Sequence, residues 1–176
     1  MRPAQIPMPA AVPDFVAIYE EQVSHVYGYL VYRVRSREDA EDLTQLTFER
    51  AMRAWGRFDP ARSQPQTWLL SIARNLLIDH YRADRRGNHM PIDEIEGTEP
   101  ATVSAEPDLG LDPELAAALA RLSPRDREIV ALRFGADLSG PEIATVTGLE
   151  LANVQQILSR SLRRMRGDIE HERESG

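Results

Sequence analysis

The chain of 176 residues contains no cysteine and no lysine, and it has no apolar run that approaches the length of a membrane span. Without cysteine there can be no disulfide framework, no zinc ribbon and no thiolate nucleophile. A transmembrane helix needs about 20 consecutive apolar residues. The N-terminal stretch is interrupted by four prolines and lacks the apolar segment of a signal peptide. We therefore expect a cytoplasmic protein.

The sequence also lacks the residue patterns of an active site. Its histidines are scattered at positions 25, 80, 89 and 171, with no metal-binding spacing between them, and no glycine-rich phosphate loop or GxSxG turn is present. Asp79 and His80 are adjacent, so on a helix their side chains point to different faces. We predict that the protein is not an enzyme and that it holds no metal and no cofactor.

Apolar residues make up 42% of the chain and charged residues 28%, which is typical of globular proteins. The net charge of −7 argues against nucleic-acid binding until its distribution is considered. Residues 86–113 contain seven acidic residues against one arginine, a net charge of −6, so the rest of the chain is close to neutral. All 21 basic residues are arginines, which suit bidentate contacts to phosphate and guanine, although a GC-rich genome would produce the same bias.

Residues 14–86 show apolar residues at three- and four-residue spacing, which predicts three helices. Asp14 and Ser36 are suited to cap the first two helices. Pro60 and Pro65 break the pattern in a loop, and a third helix is expected over residues 66–85. Three such helices can bury one compact core.

Residues 87–112 combine glycine, proline and acids without apolar periodicity, which predicts a flexible acidic linker. Residues 113–167 form a second helical segment, in which Ser123 and Pro124 mark one helix start and Ser139 with Glu142 forms a capping box for the next. We expect residues 1–13 to be a disordered arm and residues 168–176 a tail. The predicted fold class is all-α, with two small helical domains, a helical bundle and a helix-turn-helix, joined by the flexible linker.

The second domain ends in a turn at residues 147–148 and a helix expected over residues 150–166. A short capped helix, a glycine turn and a longer arginine-bearing helix are the parts of a helix-turn-helix. The apolar positions expected to pack on the preceding helices are Val154, Leu158, Leu162 and Met165. The polar face offers amides for adenine and arginines for phosphate: Asn153, Gln155, Gln156, Ser159, Arg160, Arg163, Arg164 and Arg166.

Three segments, DAEDLTQLTFERAMRAW from Asp39, TWLLSIARNLLIDHYRADRR from Thr67, and LSPRDREIVALRF with the following SGPEIATVTGL, resemble the extracytoplasmic-function (ECF) sigma factors of the sigma-70 family. The resemblance spans both domains in order. It implies that residues 14–86 are sigma domain two, which binds core RNA polymerase and melts the minus-ten element. It implies that residues 113–167 are sigma domain four, which recognises the minus-thirty-five element.

The same resemblance implies three sets of site residues. The core-polymerase face is Asp39, Glu41, Asp42, Gln45 and Glu49. The minus-ten set is Phe58, Trp68, Arg74, Asn75, Tyr81, Arg82, Arg85 and Arg86, with core packing as the main role of Trp68. The minus-thirty-five set is Ser139, Glu142, Asn153, Gln155, Gln156, Ser159, Arg160, Arg163 and Arg164.

Four positions depart from the family pattern. Leu46 stands where the family usually has an acid, and Glu150, Gln155 and Ile157 stand where it commonly has a small polar residue, a lysine and an arginine. Losing positive charge weakens binding to the DNA backbone, and Ile157 is open to an inward position or to a protein partner. The expected partners are core RNA polymerase, promoter DNA and an anti-sigma factor that covers the core-binding surface.

Two other functions fit parts of the sequence. A conventional helix-turn-helix regulator would bind duplex DNA without polymerase and would not need the acidic face of the second helix. A protein-interaction module would leave the arginine clusters at residues 82–86 and 160–166 without a role.

Overall fold

The computed structural model describes residues 14–87 and 110–175, and all the secondary structure in these ranges is helical. The predicted arm and nearly all of the predicted linker lie outside the described residues. The helices are α1 (Phe15–Val31), α2 (Arg37–Ala54), α3 (Pro65–Gly87), α4 (Pro113–Ala120), α5 (Pro124–Val130), α6 (Gly140–Thr147) and α7 (Leu151–Ser175). A 3₁₀ turn, Trp55–Arg57, follows α2, and a π-helical turn, Ala131–Gly135, continues α5.

The N-terminal domain consists of α1, α2 and α3 packed against one another. The predicted caps of α1 and α2 are confirmed: the Asp14 carboxylate accepts from the amide of Val16, and the Ser36 hydroxyl accepts from the amide of Asp39. Caps of this kind satisfy the first free amides of a helix. The apolar faces then meet in a core that includes Val26, Leu30, Leu43, Leu69, Leu70 and Leu77.

The C-terminal domain consists of α4 to α7, and its first two helices begin at the predicted proline positions. Arg127 is buried and donates from Nε to the carbonyl of Leu119 at 2.9 Å and from Nη2 to that of Ala120 at 3.0 Å. These carbonyls lie at the end of α4, where they have no partner within the helix. A guanidinium buried under α4 therefore closes that helix and fixes it on α5.

The helix-turn-helix is present in α6 and α7. Gly148 has φ +71°, a left-handed conformation that glycine adopts without strain, and its amide donates to the carbonyl of Ala144 as α6 ends. The last helix differs from the prediction because it continues from the expected end at Arg166 to Ser175. An ion pair of 2.8 Å between Arg173 and Glu114 joins this extension to α4.

One predicted core position of α7 is wrong. Val154 and Met165 are buried as expected, whereas Leu162 is 42% exposed and its neighbour Ser161 is 1% exposed. An α-helix completes one turn every 3.6 residues. The buried face that contains Val154 and Leu158 therefore includes position 161, and not 162, on the following turn. Ile157 packs inward, with 3% exposure.

The two domains pack on each other. Buried residues of α1 and α3 form one continuous apolar cluster with those of α5, the π-helical turn, α6 and α7. The two predicted domains therefore share a core in this structure, and a smaller cluster beneath α4 includes Leu119, Leu122 and Met165. Among the described residues, no helix has the length and apolar character of a membrane span.

Candidate protein and nucleic-acid interfaces

Residues along one side of α2 form an acidic face. Glu41, Asp42 and Gln45 are exposed, and Asp39 and Glu49 are half-buried. Arg37 pairs with Glu41 at 2.8 Å, and the Gln45 amide donates to Glu49 at 3.0 Å, both along one turn of the same helix. Exposed pairs of this kind contribute little free energy and exchange easily. The five predicted core-polymerase residues thus lie on one helix, and the carboxylates of Glu41 and Asp42 are at its exposed surface.

Asp39 also lies close to α3, because its Oδ1 atom is 3.8 Å from Nε2 of His80. The preceding residue of α3, Asp79, has its Oδ2 atom 4.0 Å from Nη1 of Arg50 on α2. These contacts join α2 and α3 at the surface.

An apolar groove runs between α1 and α2 beside the acidic face, and the sequence reasoning missed it. The groove has a volume of about 610 Å³ and is lined by Phe15, Tyr19, Val23, Tyr27, Glu41, Thr44, Gln45, Phe48, Glu49 and Met52. Three predicted core-polymerase residues therefore form its polar edge. Its signal in the sequence was the apolar stripe of α1, which is wider than the core requires and leaves Tyr19 partly exposed.

Phe58 and Trp68 of the predicted minus-ten set lie in a packed aromatic cluster. Phe58 is 6% exposed and stacks on Trp55 with ring centres 4.8 Å apart and planes 6° apart. Trp68 is half-buried and contacts both rings, while Phe15 packs edge-on against Trp55. Trp55, which was not among the predicted site residues, is the centre of this cluster. Phe58 is closed to a stacking base in this arrangement.

The polar residues of the minus-ten set lie along α3 in different environments. Asn75 and Arg82 are exposed, and Asn75 lines a cleft of about 290 Å³ together with Arg50, Arg53, Ala54 and Ile72. The Tyr81 hydroxyl donates to the backbone carbonyl of Arg33. For Arg85 and Arg86 the structure describes the backbone, which is helical.

Arg74 is held by the other domain. Its Nε donates to Oε1 of Glu128 on α5, at 2.5 Å. Burial lowers the pKa of Arg74, but the hydrogen bond and the charge of Glu128 outweigh this effect, so the pKa of Arg74 is raised. The guanidinium is therefore charged and already has an anionic partner.

The polar face of α7 is exposed at Gln155, Gln156, Ser159, Arg160, Arg163 and Arg164, and Asn153 is half-buried. Nη2 of Arg160 donates to both carboxylate oxygens of Asp126 on α5, at 3.1 and 3.2 Å. Of the four departures from the family pattern, Ile157 is accounted for by its place in the core, whereas Leu46, Glu150 and Gln155 are exposed.

Ser139 and Glu142 begin α6 as the predicted capping box. The Glu142 carboxylate accepts from the amide and the hydroxyl of Ser139. These hydrogen bonds lower the pKa of Glu142. Both side chains are thus occupied in starting the helix.

Comparison with known proteins agrees with this architecture. Sequence models of Sigma-70 region 2 and Sigma-70 region 4 match residues 18–87 and 113–165. The ECF RNA polymerase sigma factor BldN of Streptomyces coelicolor is 34% identical over 155 residues, which cover 85% of this chain and 58% of BldN. The ECF RNA polymerase sigma factor SigL of Mycobacterium tuberculosis is 30% identical over 155 residues, which cover 85% of each protein.

The fold is also similar to a solved structure, the sigma factor RpoE of Bartonella quintana in complex with the anti-sigma factor NepR. The TM-score is 0.70 at 22% identity, and the match covers 89% of this chain and 97% of that one. Two region models in the expected order, and a relative that is 30% identical over 85% of its length, establish the relationship. The chain belongs to the ECF group of the sigma-70 family.

Proposed function

We propose that this protein is a dissociable subunit of bacterial RNA polymerase that directs transcription initiation at specific promoters from the cytoplasm. Residues 14–86 bind core polymerase and the minus-ten element, residues 113–167 bind the minus-thirty-five element, and no catalytic step belongs to the chain itself. The observation that carries the proposal is the exposed acidic face of α2 beside an apolar groove, on the same chain as an arginine-bearing helix-turn-helix.

The α2 surface fits a basic, amphipathic protein segment. Glu41 and Asp42 offer exposed negative charge, which speeds the encounter with a positive partner and suppresses wrong partners. Apolar side chains of that segment would enter the groove at Tyr19, Phe48 and Met52, where burial of apolar surface supplies affinity. Core polymerase is the partner we assign to this surface.

For the minus-ten element we propose that α3 supplies the contacts. Asn75 has both donor and acceptor groups for a base edge, and its cleft places Arg50 and Arg53 beside it for the DNA backbone. Arg74, Tyr81, Arg82, Arg85 and Arg86 complete the set. The cluster of Trp55, Phe58 and Trp68 is assigned to holding the start of α3 in place.

For the minus-thirty-five element we propose that α7 enters the major groove. Gln155 and Gln156 are placed to contact base edges, and Arg160, Arg163 and Arg164 to contact phosphates. Ser139 and Glu142 contribute by fixing the start of α6 rather than by direct binding. The exposed Glu150 puts a negative charge beside the turn, so we expect weaker backbone binding than in a factor with a neutral residue there.

An anti-sigma factor completes the proposed partners. The Bartonella quintana RpoE was solved in complex with one. The groove between α1 and α2, with its acidic edge, is the surface we assign to it here. A protein that occupied this groove would compete directly with core polymerase.

Run-off transcription with bacterial core polymerase and a library of promoter fragments tests this proposal. The test variant is Glu41→Gln with Asp42→Asn, and its matched control is Glu20→Gln with Glu21→Gln, which removes the same charge from exposed positions of α1. Wild type and control should give start-site-specific RNA, and the α2 variant should lose at least about tenfold of it. Binding to duplex DNA without polymerase, with no initiation, would instead identify a conventional regulator.

A further inference from the structure

The apolar groove between α1 and α2 leaves two large side chains uncovered. Tyr19 is 45% exposed and Met52 is 60% exposed, and both line the groove. Contact with water is unfavourable for such surface, and an uncovered apolar groove with a polar edge is typical of a binding site. The groove therefore favours an apolar occupant.

The side chains of the groove suit a proline-rich occupant. Proline-rich segments in the polyproline II conformation bind grooves lined by aromatic rings, because their stiff backbone loses little conformational entropy on binding. The lining contains four aromatic rings and two carboxylates: Phe15, Tyr19, Tyr27, Phe48, Glu41 and Glu49. Aromatic rings beside carboxylates match a segment that combines proline with a positive charge.

Residues 1–13, which lie outside the described residues, have this composition. Their sequence, MRPAQIPMPAAVP, contains four prolines, one arginine and no acid. Proline restricts φ to about −65° and favours polyproline II. Ile6 and Met8 add apolar side chains between the prolines. The segment is joined through Asp14 to Phe15, which lines the groove, so it is tethered beside the site.

The length of the segment suits the groove. Phe15 and Tyr27 both line the groove and are 12 residues apart on α1, which corresponds to a rise of about 18 Å. Polyproline II rises about 3.1 Å per residue, so residues 2–9 span about 22 Å. Residues 10–13 are left to reverse the direction of the chain before α1 begins.

A reversed segment would also bring unlike charges together. α1 and α2 run antiparallel, since Phe15 at the start of α1 packs on Trp55 at the end of α2. Glu41 therefore lies at the end of the groove remote from Phe15, where Arg2 would arrive. The present partner of Glu41 is Arg37, in an exposed pair of the kind that exchanges easily.

We propose that residues 2–9 occupy the groove between α1 and α2 in the free protein, and that core polymerase displaces them. The second part rests on the proposed function, which assigns the groove to polymerase. A short tether gives an effective concentration in the millimolar range, so an intrinsic dissociation constant of about 1 mM fills the groove about half of the time. Asp42 is exposed and lies outside the groove lining, so polymerase can make its first contact there.

Paramagnetic broadening of NMR signals tests the contact in the free protein. The chain contains no cysteine, so a spin label attaches only at Ala4→Cys within the segment. The amide signals of Tyr27 and Thr44, on the far half of the groove, should broaden more than that of Gly56, which follows Trp55 outside the lining. A segment without a fixed site would broaden Gly56 as much or more, because Gly56 lies near the tether, and this result would overturn the proposal.

Charge reversal tests the predicted direction of the segment. Arg2→Glu should lower the ratio of bound to free segment about two- to fivefold, because it replaces attraction to Glu41 by repulsion. Adding Glu41→Arg to Arg2→Glu should restore the broadening. Unchanged broadening in Arg2→Glu would contradict the contact of Arg2 with Glu41 and the orientation derived from it.

Replacing prolines tests the conformation without changing any charge. Pro7→Gly with Pro9→Gly makes the free segment more flexible and should reduce the broadening at Tyr27. Pro100→Gly with Pro107→Gly is the matched control, because it removes two prolines outside both the segment and the groove. Equal broadening in the two double variants would overturn a polyproline II contact.

A mixture of two samples identifies the chain that supplies the segment. One sample carries the spin label and no isotope, and the other carries the isotope and no label. Broadening of Tyr27 in the mixture would show that a second copy fills the groove and would overturn the contact within one chain. Absence of broadening both in the mixture and in the singly labelled protein would overturn the proposal and assign the groove to a separate partner.

Competition for limiting core polymerase separates this inference from the proposed function. Pro7→Gly with Pro9→Gly should bind about twofold more tightly than wild type, since a groove filled half of the time halves the apparent affinity. Tighter binding together with promoter-specific RNA supports both. RNA synthesis at unchanged affinity overturns the displacement and leaves the sigma function standing. A filled groove in the NMR experiment, with no RNA from any variant, counts against the proposed function alone.

Discussion

The acidic face of α2 and the arginines proposed to bind DNA differ in what they already contact. On α2, Glu41 and Glu49 pair with arginines one turn away on the same helix. Arg74 and Arg160, by contrast, hold carboxylates of α5, one of them across the domain interface. A surface whose charges are open can bind its partner at once, whereas an arginine with an internal carboxylate must exchange it for phosphate. The comparison predicts that the first contact with polymerase is direct and that DNA binding involves replacement of internal ion pairs.

The largest expected effect is on the stability of the fold, at Arg127, which is buried and bonded to backbone carbonyls. Arg127→Ala should lower the free energy of unfolding by about 2–4 kcal/mol, because it removes the side-chain donor to the carbonyls of Leu119 and Ala120 and opens a cavity where the buried guanidinium lay. Thermal unfolding followed by circular dichroism measures the loss. Arg125→Ala, an exposed neighbour on α5, is the control and should shift the midpoint little. Equal midpoints for the two variants would refute a structural role for Arg127.

We expect Arg160 to exchange its ion pair with Asp126 for a DNA phosphate when the protein binds the minus-thirty-five element. Asp126→Asn should release Arg160 and tighten binding of polymerase holoenzyme to the minus-thirty-five element about two- to fivefold, and Arg160→Ala should reduce the salt dependence of binding by about one charge. Fluorescence anisotropy with labelled promoter DNA across a salt series measures both. Glu114→Gln is the matched control, because it releases Arg173 at the far end of α7. Tightening by Glu114→Gln as well would indicate a general charge effect.

Negative charge can be added to the acidic face of α2 at Leu46, which is 44% exposed and stands where the family usually has an acid. Leu46→Glu should tighten binding to core polymerase about two- to fivefold by adding charge to the acidic face. Val16→Glu makes the same change on α1, at another exposed apolar position outside the groove lining, and should have no such effect. Competition between variants for limiting core polymerase gives the ratio. A weaker Leu46→Glu variant would show that the leucine itself contacts the partner.

The smallest effect concerns the capping box of α6. The pKa of Glu142 is lower in the folded protein than its ordinary value of 4.5. Its contribution to stability is therefore fully present above pH 4.5 and is lost as the pH falls through the lowered value. Glu142→Gln keeps an acceptor for the capping box but removes its charge, so it should cost about 0.3–1 kcal/mol at neutral pH and flatten the pH dependence of unfolding in the acid range. Glu150→Gln is the control, and an identical acid transition in Glu142→Gln and wild type would contradict the cap.

Features determined by neighbouring residues were predictable from the sequence. The caps at Asp14, Ser36 and Ser139 were confirmed because each depends on an oxygen and an amide within three residues. The two helical domains and the family followed from periodicity and motif order. On α7 the buried positions Val154 and Met165 were predicted correctly and Leu162 wrongly, since two consecutive four-residue steps from Val154 overshoot the helical period of 3.6 residues.

Features that depend on distant parts of the chain were not predictable. Nothing near Gly28 or Gly135 indicates that the two backbones meet, because an exposed glycine and one in an interface have the same local sequence signal. The burial of Phe58 under Trp55 depends on how the loop after α2 folds back on α3. The resemblance assigned Arg74 to the minus-ten DNA, and nothing near it in the sequence indicates its ion pair with Glu128 of the other domain.

The length of the last helix has a practical consequence. α7 is a single helix of 25 residues, and its extension is attached to α4 by Arg173 and Glu114. At 1.5 Å per residue, Arg173 lies about 30 Å along the axis from Asn153 at the DNA-reading end. A fluorophore or affinity tag fused at the C-terminal end would therefore report on the assembled factor from well outside the promoter groove.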